Sequence, residues 1–277
     1  MRSSLILLRA TTLTPHSVEF ADILERESGL EVVHLLDGRH AVQQQSRRKK
    51  ILLTEPAVRA LGLYAPSNFQ WQCGDYGIYL ARRAFPDALH FWLIEHDIRF
   101  GGGPARDFFQ CFAGLNDVDL LACQFEPVHE FWTWGFTVTG RDIVPHRCLF
   151  GVVRLSSRAI DEMLAHRLKQ GRLVRRRATW PNDEGFAATT LANRGFTCRD
   201  LNSFGRTFYD DSSLSLFSKL DGATFNPPPT GVRIYHPVLF GEDFVRGNTT
   251  STIVVKPTLG QRALRRYGKA VNPKTKW

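Results

Sequence analysis

The sequence predicts an α/β fold: a Rossmann-type mixed sheet flanked by helices, in a single domain with an irregular C-terminal extension. Three observations carry this. The chain opens on an apolar strand at Ser4 to Leu8, a helix, and a second apolar strand at Leu30 to Leu36 (LEVVHLL), which together make a βαβ unit. Further short apolar runs alternate with helical patterns to about residue 201. Between them lies Leu89 to Gly102 (LHFWLIEHDIRFGG), whose apolar core Phe91 to Ile94 is bounded by breakers and reads as a strand buried on both faces.

In order, Thr14 is placed to cap a helix that begins at Pro15, runs to about Ser28 and ends at Gly29. The second strand closes on Asp37-Gly38, where Asp37 suits a turn and equally a ribose or base edge. No G-x-G-x-x-G or P-loop pattern follows the first strand. Residues 40–50 are polar, end in four bases and read as a solvated loop. Ile51 to Thr54 is a third strand and Ala57 to Gly62 a short helix. A helix from Asp75 to about Phe85 follows, with Asp75 in its first turn, where a negative charge is favoured with or without a ligand.

After the central strand, Pro104 starts a helix whose Phe108, Phe109, Phe112 and Leu115 recur at near-helical spacing and belong to the core. Val118 to Phe125 and Cys148 to Leu155 are strands, and Ser156 caps a helix to about Gln170. Between those strands, His129 to Phe136 carries four aromatics on a loop. Such faces suit sugar rings, and equally a packed lid. Pro181-Asn182-Asp183-Glu184 starts another helix that ends near Gly195, and Phe196 to Leu201 is a strand. From about residue 203 the chain turns Ser- and Pro-rich, and after 260 it is basic.

The composition is that of a folded soluble chain, with 43% hydrophobic and 23% charged residues. Its 36 basic and 27 acidic residues give a net charge of +9, which favours anionic partners without choosing among them. Five widely spaced cysteines form no C-x-x-C pair, so neither a zinc site nor a disulfide framework is expected. MRSSLILLRATT is too short in its apolar core for a signal peptide. A cytoplasmic protein is the expectation.

Glu95 and Asp97, spaced i, i+2 at the end of a buried strand, are poor packing residues, because burying unpaired charge is costly. They suit a hard cation such as Mg²⁺, which combines carboxylates with substrate phosphates. An ion pair with Arg99 or Arg106 is the bland reading of the same pair.

The order of elements from about residue 4 to 240 resembles the GT-A class of nucleotide-sugar glycosyltransferases. Glu95-His96-Asp97 matches that family's D-x-D motif as a Glu-x-Asp variant. Asp183-Glu184 opens a helix with Gly195 eleven residues after Glu184, as in many inverting members, though with the acid order swapped. Tyr235-His236-Pro237 is similar to a late histidine that some members add to the metal. The phrase Trp92-x-x-Glu95-x-Asp97-x-Arg99-x-x-Gly102 looks like a little-characterised branch of glycosyltransferase-like proteins.

The resemblance implies a metal-dependent glycosyltransferase over residues 1–240, followed by a basic extension over 241–277. It implies Mn²⁺ or Mg²⁺ on Asp97, Glu95 and His236, and Glu184 as catalytic base beside Asp183. Arg9, Thr11, Asp37 and Asp75 would hold the nucleotide-sugar donor, and Trp132 and Trp134 the acceptor, a glycan or another hydroxyl compound. Contact of the basic segments with a membrane or other anionic surface stays open, and nucleic acid is disfavoured. Two alternatives stand: a nucleotidyltransferase, although Arg9-Ala-Thr-Thr is a poor version of its glycine-rich loop, and a catalytically silent GT-A-like module that binds glycan or nucleic acid.

Overall fold

The computed structural model describes residues 4–39, 46–128, 132, 134–140, 142–173, 179–215 and 218–249. Strand β1 (Leu5–Ala10), helix α1 (Pro15–Ser28) and strand β2 (Glu31–Asp37) form the expected βαβ unit. The helix begins where Thr14 and Ser17 cap one another and stops at Gly29, whose φ of 69° is left-handed and which donates to Glu25 O. Then come β3 (Lys50–Leu53), α2 (Glu55–Ala60), α3 (Phe69–Gln72), α4 (Asp75–Ala84), β4 (His90–Glu95), β5 (Arg99–Gly101) and α5 (Ala105–Phe112). The sheet is completed by β6 (Leu120–Pro127), β7 (His146–Ser156) and β8 (Cys198–Asp200), with α6 (Ser157–Gly171) and α7 (Asp183–Ala192) between the last two.

Seven strands make one sheet in the order β3-β2-β1-β4-β7-β6-β8. β3, β2, β1 and β4 are parallel, and β7 runs antiparallel to both of its neighbours. β1 shows why the sheet sits in the middle. Leu5 and Leu7 enter one core with α4, α6 and α7, while Ile6 and Leu8 enter the other with α1 and α5. All four are 4% exposed or less. Burying each contributes roughly 1.5–3 kcal/mol, far above the local preference of a short strand. The phenylalanines of α5 pack around Trp92, Phe109 and Phe112 edge-to-face and Phe108 tilted, as their helical spacing predicts.

The chain after residue 203 is irregular, as expected, but it is anchored. β9 (Leu220–Asp221) pairs with β11 (Val238–Leu239), and β10 (Arg233–Tyr235) pairs antiparallel with β5. The Pro-rich stretch before β10 lies directly on the glycines after β5. Gly102 has φ of 75°, and a Cβ there would stand 2.6 Å from Gly231 O and 2.8 Å from Pro228 O. Only glycine fits on both counts. A last helix, α8, spans Gly241–Thr249; the rest of the basic extension lies outside the described residues.

The basic run at 47–49 is neutralised locally: Arg47 and Arg48 pair with Asp22, Arg48 also with Glu25, and Lys49 with Glu31. A second basic run in the sequence, residues 171–177 (GRLVRRR), lies from 174 onward outside the described residues. Among the described residues, no helix is long and apolar enough to cross a membrane.

Candidate active site

Between β1 and β4 the strand order reverses: the chain leaves β1 to build β2 and β3 on one side, and β4 adds on the other. Ligand clefts in open α/β sheets form outside the carboxyl ends of strands at such a reversal. A cleft of about 520 Å³ opens there. Arg9 from β1 and Thr11 just after it, Asp37 from β2, Glu95 from β4 and Asp97 just after it, Asp183 and Glu184 from α7, Trp134 and His236 all line it.

Glu95, Asp97 and His236 each offer one ligand atom within a group whose members lie within 4.8 Å of one another. His236 reaches the other two because Tyr235 pairs with Arg99 across β10 and β5, and Val238 N donates to Asp97 O at 2.8 Å. His236 Nε2 stands 3.5 Å from Asp97 Oδ2. Asp97 Oδ1 and His236 Nδ1 are buried and have no hydrogen-bond partner. Buried polar atoms are rarely left so. Two residues that each keep an unpartnered buried atom, grouped with a third carboxylate, suit a hard divalent cation, which takes carboxylate oxygen and imidazole nitrogen.

The bland reading of the carboxylate pair is met only in part. Arg99 does not reach it; its guanidinium lies between the rings of Phe20 and Phe240 and donates to His96 O and Ile98 O. The ion pair is with Arg9, whose Nη1 donates to Glu95 Oε1 at 2.9 Å and lies 3.6 Å from Asp183 Oδ2. Arg9 Nη2 donates to Gln70 O and Trp71 O. Burial lowers the Arg9 pKa, and the carboxylates of Glu95, Asp183 and Asp75 outweigh that and raise it. Arg9 therefore ties four parts of the cleft wall together and has both terminal nitrogens engaged.

Asn182 caps α7, accepting from Gly185 N, and also donates to Glu184 Oε2 at 3.0 Å. Asp183 Oδ2 accepts from Gly74 N at 2.8 Å, and Oδ1 accepts from Glu184 N. A Cβ on Gly74 would stand 2.5 Å from that Asp183 oxygen, so the approach requires glycine. Both acids titrate high. Burial pushes Asp183 up to about 7 against the pull of Arg9. Burial, then the neighbouring Asp183, pushes Glu184 up to about 8. Asp183 is thus held from two sides, while Glu184 lines the cleft with one oxygen tethered.

Two residues named from the sequence sit elsewhere. Asp75 is fully buried beneath the cleft, bound by Arg167 Nε and Nη2 at 2.8 and 3.0 Å and by Tyr79 Oη at 2.7 Å. Trp132 packs on α7: a Cβ on Gly185 would be 2.9 Å from its ring. It does not line the cleft, whereas Trp134 does. Asp37 lines the cleft with both oxygens bonded by Arg39, a residue sequence reasoning missed. Gln70 and Trp71 were missed as well, because a helix as short as α3 has no periodicity to read.

No protein-family model matches the chain, and no curated protein is significantly similar to it. Solved structures with a related arrangement include both glycosyltransferases and nucleotidyltransferases. One is a glycosyltransferase involved in the glycosylation of the major capsid of PBCV-1 (13% identity, 60% of this chain and 67% of that one, TM-score 0.33). Another is core-mannan synthase A from Aspergillus fumigatus in its Mn/GDP form (9% identity, 71% and 70%, TM-score 0.40). A third is the inositol-1-phosphate CTP transferase of T. maritima (10% identity, 73% and 86%, TM-score 0.38). At these identities and scores the likeness names neither a family nor a reaction.

Proposed function

We propose that the chain is a metal-dependent glycosyltransferase, moving a sugar from a nucleotide-diphosphate donor to a hydroxyl acceptor. One observation carries the reading: a single cleft brings the three-residue cation cluster, with its two unpartnered buried atoms, together with a high-titrating glutamate at a helix start. All the groups involved lie within residues 1–240, so the transferase domain is assigned there and 241–277 to an extension.

Asp97 and His236 would hold Mn²⁺ or Mg²⁺, with Glu95 shared between the cation and Arg9. A cation bound there supplies charge to offset what develops on the leaving diphosphate. The nucleoside is given to the part of the cleft lined by Leu35, Leu36, Leu53 and Asp37, where Asp37 would exchange the donors of Arg39 for a hydrogen bond from the ribose or base. Glu184 accepts the proton of the acceptor hydroxyl as that oxygen bonds to the anomeric carbon and the bond from this carbon to the diphosphate breaks. Its raised pKa suits a base that must hold a proton after transfer. Asp183 acts through Glu184: fixed by Gly74 N and Arg9, it aims the start of α7 and keeps the Glu184 pKa high. Arg9, given to the donor in the sequence reading, is here a positioning residue.

Calorimetric titration of UDP and GDP, each with and without Mn²⁺, against the wild type and Asp97→Asn tests this. Binding that needs both the metal and Asp97 supports the reading and names the base. If neither nucleotide binds under any condition, the transferase reading fails.

A further inference from the structure

Trp71 is the most exposed large apolar side chain among the described residues, at 64%. Its neighbours explain how it is held out. Phe69 and Cys73, on either side in sequence, are buried in the core and fix the short helix α3 from below. The carbonyls of Gln70 and Trp71 receive Arg9 Nη2. The Trp71 backbone is therefore anchored to the same guanidinium that meets Asp183. Across the cleft mouth stands Trp134, at the head of a 3₁₀ turn, Gly135–Thr137, whose Thr137 N and Oγ1 both bond to Trp134 O.

The two indoles lie with centroids 5.9 Å apart and planes inclined by 55°. They form a V whose Trp71 arm is largely exposed and whose Trp134 arm is half-buried. Trp132, two residues before Trp134, rests on Gly185, next to Glu184 in α7, which sets the Trp134 arm near the proposed base. Leu35, Leu36 and Leu53 beside Asp37 also line the cleft, and the proposed reading gives the nucleoside to them. The polar side chains of Gln70, Asn182 and Glu184 line the same cleft, together with Leu149 and Phe150. Gln70 Oε1 is buried with no partner.

An indole face is apolar and carries negative quadrupole, so it packs against the C–H face of a saturated ring. Amide and carboxylate groups around it take that ring's hydroxyls. An acyl chain would instead need a long continuous apolar groove, and here amide and carboxylate groups interrupt the apolar lining. From these observations we infer that Trp71 and Trp134 form a saccharide platform, and that the acceptor is a glycan presented by its terminal ring. This narrows the transferase reading and rests on it for the word acceptor; binding of the saccharide itself does not.

The test uses the full chain and gluco-, galacto-, manno- and xylo-oligosaccharides as probes. Affinity is followed by saturation-transfer NMR and tryptophan fluorescence for the wild type, Trp71→Ala, Trp134→Ala and Trp71→Phe. At least one oligosaccharide series binds the wild type, and each alanine variant weakens it about tenfold or more, the scale of a lost ring stack. Trp71→Phe retains most of the affinity, since a flat face remains. UDP and GDP affinities stay within about twofold in all three variants, as separate subsites require. Trp71 is exposed, so circular dichroism confirms that its variants fold. The inference is overturned if no oligosaccharide binds the wild type, or if Trp71→Ala weakens the nucleotide and spares the saccharide, which would make the V a base platform. Saccharide binding without any nucleotide binding would leave the platform standing and sink the transferase reading instead.

Discussion

Asp75 and Asp97 stand at comparable places, one at the start of a helix and one just beyond the end of a strand, both beside the same cleft. Their surroundings differ in one respect. Every oxygen of Asp75 is bonded, and its partner Arg167 is itself packed over Phe186 at 3.7 Å and donates to Pro181 O. Asp97 keeps a buried oxygen, Oδ1, with no donor, and its neighbour His236 keeps a nitrogen, Nδ1, in the same condition. A buried ion pair that is fully satisfied holds elements together; a buried acid left unsatisfied is arranged for something else. The first ties α4 to the lead-in of α7, and the second waits on the cleft wall.

Substitutions can break this contrast. The largest effect is expected at the closed pair. Arg167→Met strands the Asp75 carboxylate and should cost about 3–5 kcal/mol in denaturant unfolding; a loss under about 1 kcal/mol would show that the pair is no structural post. Next is Glu184→Gln. The folded pKa of Glu184, about 8, lies above its ordinary 4.5. The wild type therefore has its full stability below pH 4.5 and loses some as the pH rises through 8. Glu184→Gln removes that loss, so it should match the wild type at pH 4 and exceed it by roughly 2–4 kcal/mol at pH 9. The same variant should lose turnover by about 10²–10⁴. In the wild type, turnover should climb with pH as Glu184 deprotonates, Asp183, Glu95 and Arg147 being the charges that set the midpoint. A gain in stability at pH 9 with full activity would remove Glu184 from the chemistry.

Gly74→Ala comes third. Its Cβ intrudes between Arg9 and Asp183, and an overpacked junction of this kind costs about 1–3 kcal/mol. Nucleotide affinity should fall with it, measured on the folded variant. Smallest in stability is Asp97→Asn, expected to shift unfolding by less than about 1 kcal/mol, because the contact it weakens is a long one, to His236 Nε2 at 3.5 Å. Its Mn²⁺ affinity, read by electron paramagnetic resonance, should nevertheless vanish. Severe destabilisation with cation binding intact would reverse the roles assigned to the two aspartates.

Much of the scaffold was legible in the sequence. Thr14, Pro15 and Gly29 bracket α1 as read, because capping is local chemistry. The central strand Phe91 to Ile94 gained one residue at each end. Asp75 was not legible, since a first-turn acid looks the same whether it faces a ligand or an arginine 92 residues away. The same holds for Arg9, whose four partners come from three distant segments. β10 is three residues long and shows no alternation, so its pairing with β5, which delivers His236, has no signature in the sequence. The swapped acid order at Asp183-Glu184 becomes intelligible only through Gly74, whose backbone N–H takes the first acid and leaves the second toward the cleft.

The Pro-rich strap laid across Gly102 carries a thermodynamic consequence. His236 belongs to the segment that docks through β10, while Glu95 and Asp97 belong to the sheet. On the proposed reading, closing the strap and binding a cation are then coupled equilibria, and each must strengthen the other by the same factor. Gly102→Ala, far from any ligand atom, should weaken Mn²⁺ binding by whatever it costs the strap, and added Mn²⁺ should in turn slow proteolysis within residues 218–235. The cleft would be a clasp whose pin is the ion.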